Sequence, residues 1–484
     1  MNISFQFKWC LLGRTMCGLM VSAVIIIIQG CGGPPLKPWH TEKLTEEFTA
    51  DMSDTIQTFD DYRRLEDRLF KQLEEKVYAR TATGPEYALV RYSAGSAADP
   101  RQRRPNWNRS FEFTSDQPVG GVLLLHGMSD SPYSLRVLGE TLKQRNYWVI
   151  GLRLPGHGTA PSGLKHISWR DMAAAVRLGV AHLGSKLGRK PIHIVGYSNG
   201  APLAINYTLD ALEDDALTVP ASLVLISPSI GLHPAAALAQ WKRRLSILPG
   251  LGGMAWLSVM PEFDPYKYNS FATNAAEQVH GLTRSVARRI TARASSGANP
   301  VLPPTLVLKS TVDATVSTDA VVDRLLKHLK PNRHELVLFD INRFAAKTSL
   351  LIADPAPFTV RLTADKSLPF ILTLVTNANP QSRSVVAHHK PPFSNGASKI
   401  EPLHLSWPLG VISLSHVALP FAPDDPLYGQ GPPAKEDALF LGQMAIQGER
   451  DLLKIPSSFL LRIRYNPFYV YLETRVLEWF ELAG

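Results

Sequence analysis

The chain has 484 residues, enough for two or three average domains or for one large domain with insertions. Apolar residues make up 45% and charged residues 19%, which is ordinary for a protein with a real core and argues against a disordered chain. The formal charge of +9 is scattered apart from the clusters "RQRR" at 101–104 and "WKRR" at 241–244; with no recognition motif beside it, it suits a surface facing anionic lipid better than nucleic acid.

Lys8 and Arg14 precede an unbroken apolar or small run from Met16 to Ile28, too short to span a bilayer comfortably but suited to a signal-peptide core. The run ends in Ile28-Gln29-Gly30-Cys31, which resembles a bacterial lipoprotein signal over residues 1–31. That resemblance implies lipidation of Cys31 as the new N-terminus, membrane attachment through the lipid, and a place in the bacterial cell envelope. Gln29 departs from the small or aliphatic residue usual there, and an uncleaved anchor helix is the alternative. Cys10 and Cys17 lie inside the signal, so the processed chain would carry no disulfide and a charge of +7.

Residues 32–40 read as a Gly- and Pro-rich tether, and Leu44, Phe48, Met52, Ile56, Phe59, Tyr62, Leu65, Leu69 and Val77 then recur at helical spacings. One or two amphipathic helices are expected up to residue 80. Between 81 and 119, "YALVRYS" and "SFEFTS" read as strands. From there "GGVLLLHG", "YWVIGLRL", "IHIVGYS", "ASLVLISP", "PTLVLKS" and "HELVLFD" alternate with helical stretches near 131–145, 168–187, 199–213 and 317–330. Continuous apolar strands alternating with helices predict an α/β fold over residues 81–484, with a mostly parallel sheet covered on both faces.

Two segments interrupt the alternation. Residues 229–300 hold no convincing strand but many apolar residues, among them Trp241, Leu245, Leu248, Trp256 and Leu257, which predicts a helical cap. Residues 341–410 form an insertion in which "FTVRL" and "PFILTLVT" read as extra strands and "NANPQSR" and "HHKPPFSNGASK" as loops.

The chemistry centres on Gly196-Tyr197-Ser198-Asn199-Gly200, a G-x-S-x-G that follows a buried strand and opens a helix. In that setting the glycines relieve crowding at a strained turn and the serine hydroxyl projects as a nucleophile; the bland alternative is a structural turn serine. The strand ending in His126-Gly127 can aim the N–H of Met128 at a reacting carbonyl, and with the N–H of Asn199 this would make an oxyanion hole. His126 itself reads as structural. Asp313, three residues past "TLVLKS", is the expected acid, ahead of Asp323 and Asp340. Of the downstream histidines 328, 334, 388, 389, 404 and 416, His416 follows the apolar run "GVISLS", which reads as a strand returning to the catalytic edge, and is preferred as the base over the His388/His389 pair. Its distance of 103 residues from Asp313 is long.

The stretches "HGMSDSPYSLRVLGETL", "RLPGHGTAPSG", "GYSNGAPLA" and "VDATVS", in that order, resemble the α/β-hydrolase fold in its monoglyceride lipase, lysophospholipase and serine aminopeptidase branch. The resemblance runs over about residues 120–340 and resumes near His416. It implies a Ser198, Asp313 and His416 triad, a lid at 229–300, and a structural role for His157 in the "PGHG" turn. The expected activity is hydrolysis of an ester or lipid through an acyl-enzyme, with no metal or cofactor. A peptidase acting on N-terminal residues and a lipoprotein that uses the fold only for binding are the rival readings.

Overall fold

The computed structural model describes residues 35–231, 252–295, 302–331, 333–346, 349, 351–431, 439–443 and 461–483. The expected signal segment with Cys31, and residues 232–251 and 296–300 of the expected cap, lie outside them.

One ten-stranded sheet organises the chain. Its strands are β1 (Phe111–Phe113), β2 (Gly120–Leu125), β3 (Tyr147–Leu152), β4 (Ile192–Tyr197), β5 (Ser222–Ile226), β8 (Thr305–Ser310), β9 (Glu335–Phe339), β10 (Ile371–Asn377), β11 (Ser384–Lys390) and β12 (Lys399–Ser406). They lie in the order β1-β3-β2-β4-β5-β8-β9-β10-β11-β12. Pairing is parallel from β3 through β10 and antiparallel at both edges. The apolar runs of β2, β4, β5, β8 and β9 are buried throughout, because successive side chains point to opposite faces and both faces are covered.

Each face has its own core. On one, Leu123, Ile194, Leu225 and Val307 pack with Met172 and Val176 of α4 (Trp169–Leu187) and Leu203 of α5 (Gly200–Ala211). On the other, Val122, Val195, Val224 and Leu308 meet Leu138 of α3 (Arg136–Gln144) and Leu472, Val476 and Trp479 of the C-terminal helix α9 (Tyr469–Ala483). Ser168 caps α4 in a capping box with Asp171. Before the sheet come a short helix α1 (Pro38–Thr41) and the amphipathic α2 (Phe59–Lys76); Tyr62 of α2 donates to Arg153 O at 2.6 Å and Glu66 accepts from Arg153 Nε at 2.8 Å.

Several local expectations are corrected. "YALVRYS" is a series of turns, because Arg91 is drawn inward: its guanidinium donates to Asn108 Oδ1 at 3.0 Å and Gly158 O at 3.2 Å. "FTVRL" lies in a helix, α8 (Ala356–Ala364), whose start is fixed by Asp354 accepting from Ala356 N at 2.9 Å and whose Thr359 and Leu362 share the buried side. His388, His389 and Lys390 belong to β11 rather than to a loop. The cap contains a two-stranded sheet, β6 (Trp256–Ser258) with β7 (Phe271–Ala272), ahead of the long helix α6 (Thr273–Ser295). The 341–410 insertion adds β10, β11 and β12 to the main sheet.

Candidate active site

The turn between β4 and α5 holds Ser198 at φ +52°, a left-handed conformation that costs a non-glycine residue about 1 kcal/mol or more. Neighbouring backbone fixes it there: Ser198 N donates to Ile226 O at 2.9 Å, and Ser198 O accepts from Ser229 N at 3.1 Å. Any Cβ at position 196 would come within 2.5 Å of Gly200 O, and one at position 200 within 2.1 Å of Leu125 O. Both glycines are therefore required by close backbone approach.

Three side chains from distant parts of the chain meet at this turn. His416 Nε2 lies 3.0 Å from Ser198 Oγ, and His416 Nδ1 lies 2.8 Å from Asp313 Oδ2. With a carboxylate as its partner, Nδ1 carries the proton and donates it, leaving the Nε2 lone pair facing the serine hydroxyl. Asp313 is held in turn: its Oδ1 accepts from the N–H groups of Thr315 at 2.8 Å and Val316 at 3.0 Å. The segment before His416 is not a strand, contrary to the expectation for "GVISLS". It is tied down by single contacts instead: Asn342 N donates to Ile412 O at 2.7 Å, Ser310 Oγ to Leu414 O at 3.0 Å, and Ser415 Oγ to Ile463 O at 2.6 Å.

Burial sets the electrostatics. It pushes the Asp313 carboxyl up, but the hydrogen bond and charge of His416 and the Lys309 ammonium outweigh it and hold the group well below the usual carboxylate range. Burial pulls the His416 imidazole below its usual value; Asp313 opposes that shift, while Lys309 and Arg462 reinforce it. The imidazole is thus neutral, and able to accept a proton, at neutral pH.

Met128 lines the cavity beside Ser198, and Asn199 stands at the N-cap of α5. A Cβ on Gly127, the residue before Met128, would lie 3.1 Å from Ser198 Cβ, so that loop passes directly over the serine. His126 is apart from the chemistry, with Nε2 accepting from Leu154 N at 3.0 Å and Nδ1 donating to Gly127 O at 2.9 Å. His157 bonds Pro155 O through Nδ1 at 2.9 Å. The rival acids and bases lie elsewhere: Asp340 pairs with Arg343, Asp323 with Lys327, and His389, on β11, with Thr373 of β10 and Glu401 of β12.

Two neighbours went unnoticed in the sequence. Ser229 Oγ is 3.3 Å from Ser198 Oγ, and Lys309 Nζ donates to Asp313 Oδ2 at 2.7 Å and to Val316 O at 2.9 Å. A lysine inside the apolar run "TLVLKS", four residues before a candidate acid, is the signal that could have found the second.

A cavity of about 500 Å³ opens over Ser198 and His416, walled partly by Leu257, Phe271, Ala276 and Val279 of the cap. Residues 122–342 match the model of the Alpha/beta hydrolase family. Over 118 residues the chain is 31% identical to a thermostable monoacylglycerol lipase of Bacillus sp. strain H-257, covering 24% of this chain and 46% of that protein. Over 99 residues it is 33% identical to a carboxylesterase of Bacillus subtilis strain 168, covering 20% and 40%. The chain therefore spans less than half the length of these two relatives. Among solved structures, it is similar to a monoacylglycerol lipase of Paleococcus ferrophilus at 18% identity and a TM-score of 0.37, over 48% of this chain and 88% of that one. Over residues 122–342, a little under half of the chain, the protein is similar to the α/β-hydrolase family, and its mostly parallel sheet with helices on both faces has the α/β-hydrolase fold.

Proposed function

We propose that the protein hydrolyses carboxylic esters, with Ser198 as nucleophile, His416 as general base and Asp313 as the group that orients and charges it. The observation that carries this is the unbroken chain from Ser198 Oγ to His416 Nε2 at 3.0 Å and from His416 Nδ1 to Asp313 Oδ2 at 2.8 Å. His416 takes the serine proton as Oγ attacks the ester carbonyl, and the N–H groups of Met128 and Asn199 receive the oxyanion. The alcohol leaves with the proton from His416, and water, activated by the same ring, releases the acid from the acyl-enzyme. The apolar cap wall and the two relatives named for lipase and esterase activity support an acyl ester as substrate, as in monoacylglycerols and lysophospholipids. Turnover of p-nitrophenyl acyl esters, lost in Ser198→Ala together with labelling by a fluorophosphonate, tests the reading. Faster turnover of aminoacyl amides would support a peptidase, and a wild-type protein inert to both substrates and probe would support binding alone.

We further propose that the protein is held at the bacterial cell envelope by a lipid on Cys31; the tether is shorter than the expected 32–40, because Pro38–Thr41 form α1 with Trp39 and His40 buried. The run from Met16 to Ile28 ahead of Gly30-Cys31 supports the lipid anchor. Among the described residues no helix is long and apolar enough to cross a membrane.

A further inference from the structure

A second cavity, of about 360 Å³, adjoins the one over Ser198. The two share Ser129, Lys267, Val417 and Arg462, but none of the four apolar cap residues reaches the second. What the second adds is polar and aromatic, including Arg464, Asp264 and Tyr428. Beside Ser198 there is thus an apolar arm under the cap and a cationic arm beyond Lys267 and Arg462.

Both described carboxylates on the cavity walls are already engaged. Lys267 Nζ lies 3.1 Å from Asp130 Oδ2, and Arg464 Nη1 lies 3.5 Å from Asp264 Oδ2. Asp264 is further occupied by the Tyr428 hydroxyl, which donates to Oδ1 at 2.6 Å. Across both cavity walls the cations Lys267, Arg462 and Arg464 face two carboxylates, Asp130 and Asp264. Arg462 is the exposed member and lines both cavities, within electrostatic reach of His416. An arginine at such a junction offers a planar fork of donors suited to a compact oxyanion.

We propose that the second cavity is a subsite for an anionic group, a phosphate or a carboxylate, on the alcohol portion of the ester, with Arg462 as its main contact. The inference rests on the ester-hydrolase reading above. An acyl chain is matched to the apolar arm by the hydrophobic effect, so the alcohol is left facing Lys267 and Arg462. The released product is then an anionic alcohol and a free acid.

The test compares kcat/KM for three monomeric substrates with the same butanoyl chain: the ester of glycerol, of glycerol 3-phosphate and of glyceric acid. The expected result is preference for one or both anionic esters by about tenfold at low salt, the factor given by roughly one good charge-assisted contact. The preference should shrink in high salt and fall several-fold in Arg462→Gln, with the phosphate and carboxylate arms showing which anion fits. Equal or greater kcat/KM for the neutral ester, or a ratio that Arg462→Gln leaves unchanged, overturns the subsite while the esterase reading stands. If none of the three is hydrolysed, the esterase reading fails, and the subsite is judged by calorimetric titration with glycerol 3-phosphate against glycerol. Saturable binding of the phosphate alone, weakened in Arg462→Gln, supports it; no binding overturns it.

Discussion

Lys309 Nζ and His416 Nδ1 share a single acceptor, Oδ2 of Asp313, at 2.7 and 2.8 Å. The lysine side chain is fully buried, so its ammonium acts on the pair through a medium of low dielectric. It stabilises the carboxylate, and by offsetting that charge it makes an imidazolium at position 416 less favourable. Burial lowers the lysine's own pKa, and Asp313 counters that shift.

The pH profile follows from this arrangement. The base must be neutral to accept the serine proton, and its pKa in the folded protein is lowered from 6.5. The acid limb of kcat/KM is therefore expected below pH 6.5, with activity kept as pH falls from 8 toward that value. Lys309→Met removes the offsetting charge, so the limb should move to higher pH, and the loss of a buried pair should destabilise the fold by roughly 3 kcal/mol. A pH–rate series on both proteins decides it; a limb that stays in place in a folded Lys309→Met variant would falsify the electrostatic role.

The choice of base is tested by substitution. His416→Ala should lower kcat by about four to six orders of magnitude, as loss of a triad member does in serine proteases, and should abolish fluorophosphonate labelling of Ser198. The double variant His388→Ala, His389→Ala should keep most activity, because His389 sits on β11 bonded to Thr373 Oγ1 at 3.0 Å. Loss of labelling in the folded double variant, with His416→Ala still active, would reverse the assignment.

Gly200→Ala probes the turn itself. A methyl there would lie 2.1 Å from Leu125 O, which is backbone and cannot swing aside. The variant should lose about 1–3 kcal/mol and most of its ester turnover, read by urea denaturation and steady-state rates. Wild-type stability together with wild-type rates would mean that the approach is looser than described.

Cys31→Ser tests the anchor. In a bacterial host, palmitate labelling of the wild-type protein should disappear in the variant, and its membrane fractionation should change. A palmitate signal that persists, or a wild-type chain that retains residues 1–30, points to the uncleaved helix.

Where a feature is set within one short stretch, it could be read from residue order alone. The runs at 120–125, 192–197, 222–226, 305–310 and 335–339 were legible as strands because burial on both faces favours apolar residues along nearly the whole run rather than at alternate positions. The turn around Ser198 was legible because its two glycines are adjacent in sequence to the strained residue they permit. Asp313 was within reach because it follows its strand by three residues.

What depended on partners far away in the chain was not legible. "YALVRYS" has strand composition, yet Arg91 is held by Asn108 and Gly158, and its backbone N–H by Glu262 O at 2.7 Å, leaving no ladder to join. "FTVRL" has strand propensity but begins at a carboxylate cap and buries one helical side. The segment leading to His416 was expected as a strand, whereas its position comes from isolated bonds to residues 310, 342 and 463. Lys309 shows the same division: sequence reveals a charge in an apolar strand, but only the packing shows that its ammonium and the His416 ring converge on one carboxylate oxygen. Local backbone strain and strand burial are written in neighbouring residues, while pairing of charges and return of the chain to the sheet edge are decided by contacts across hundreds of positions.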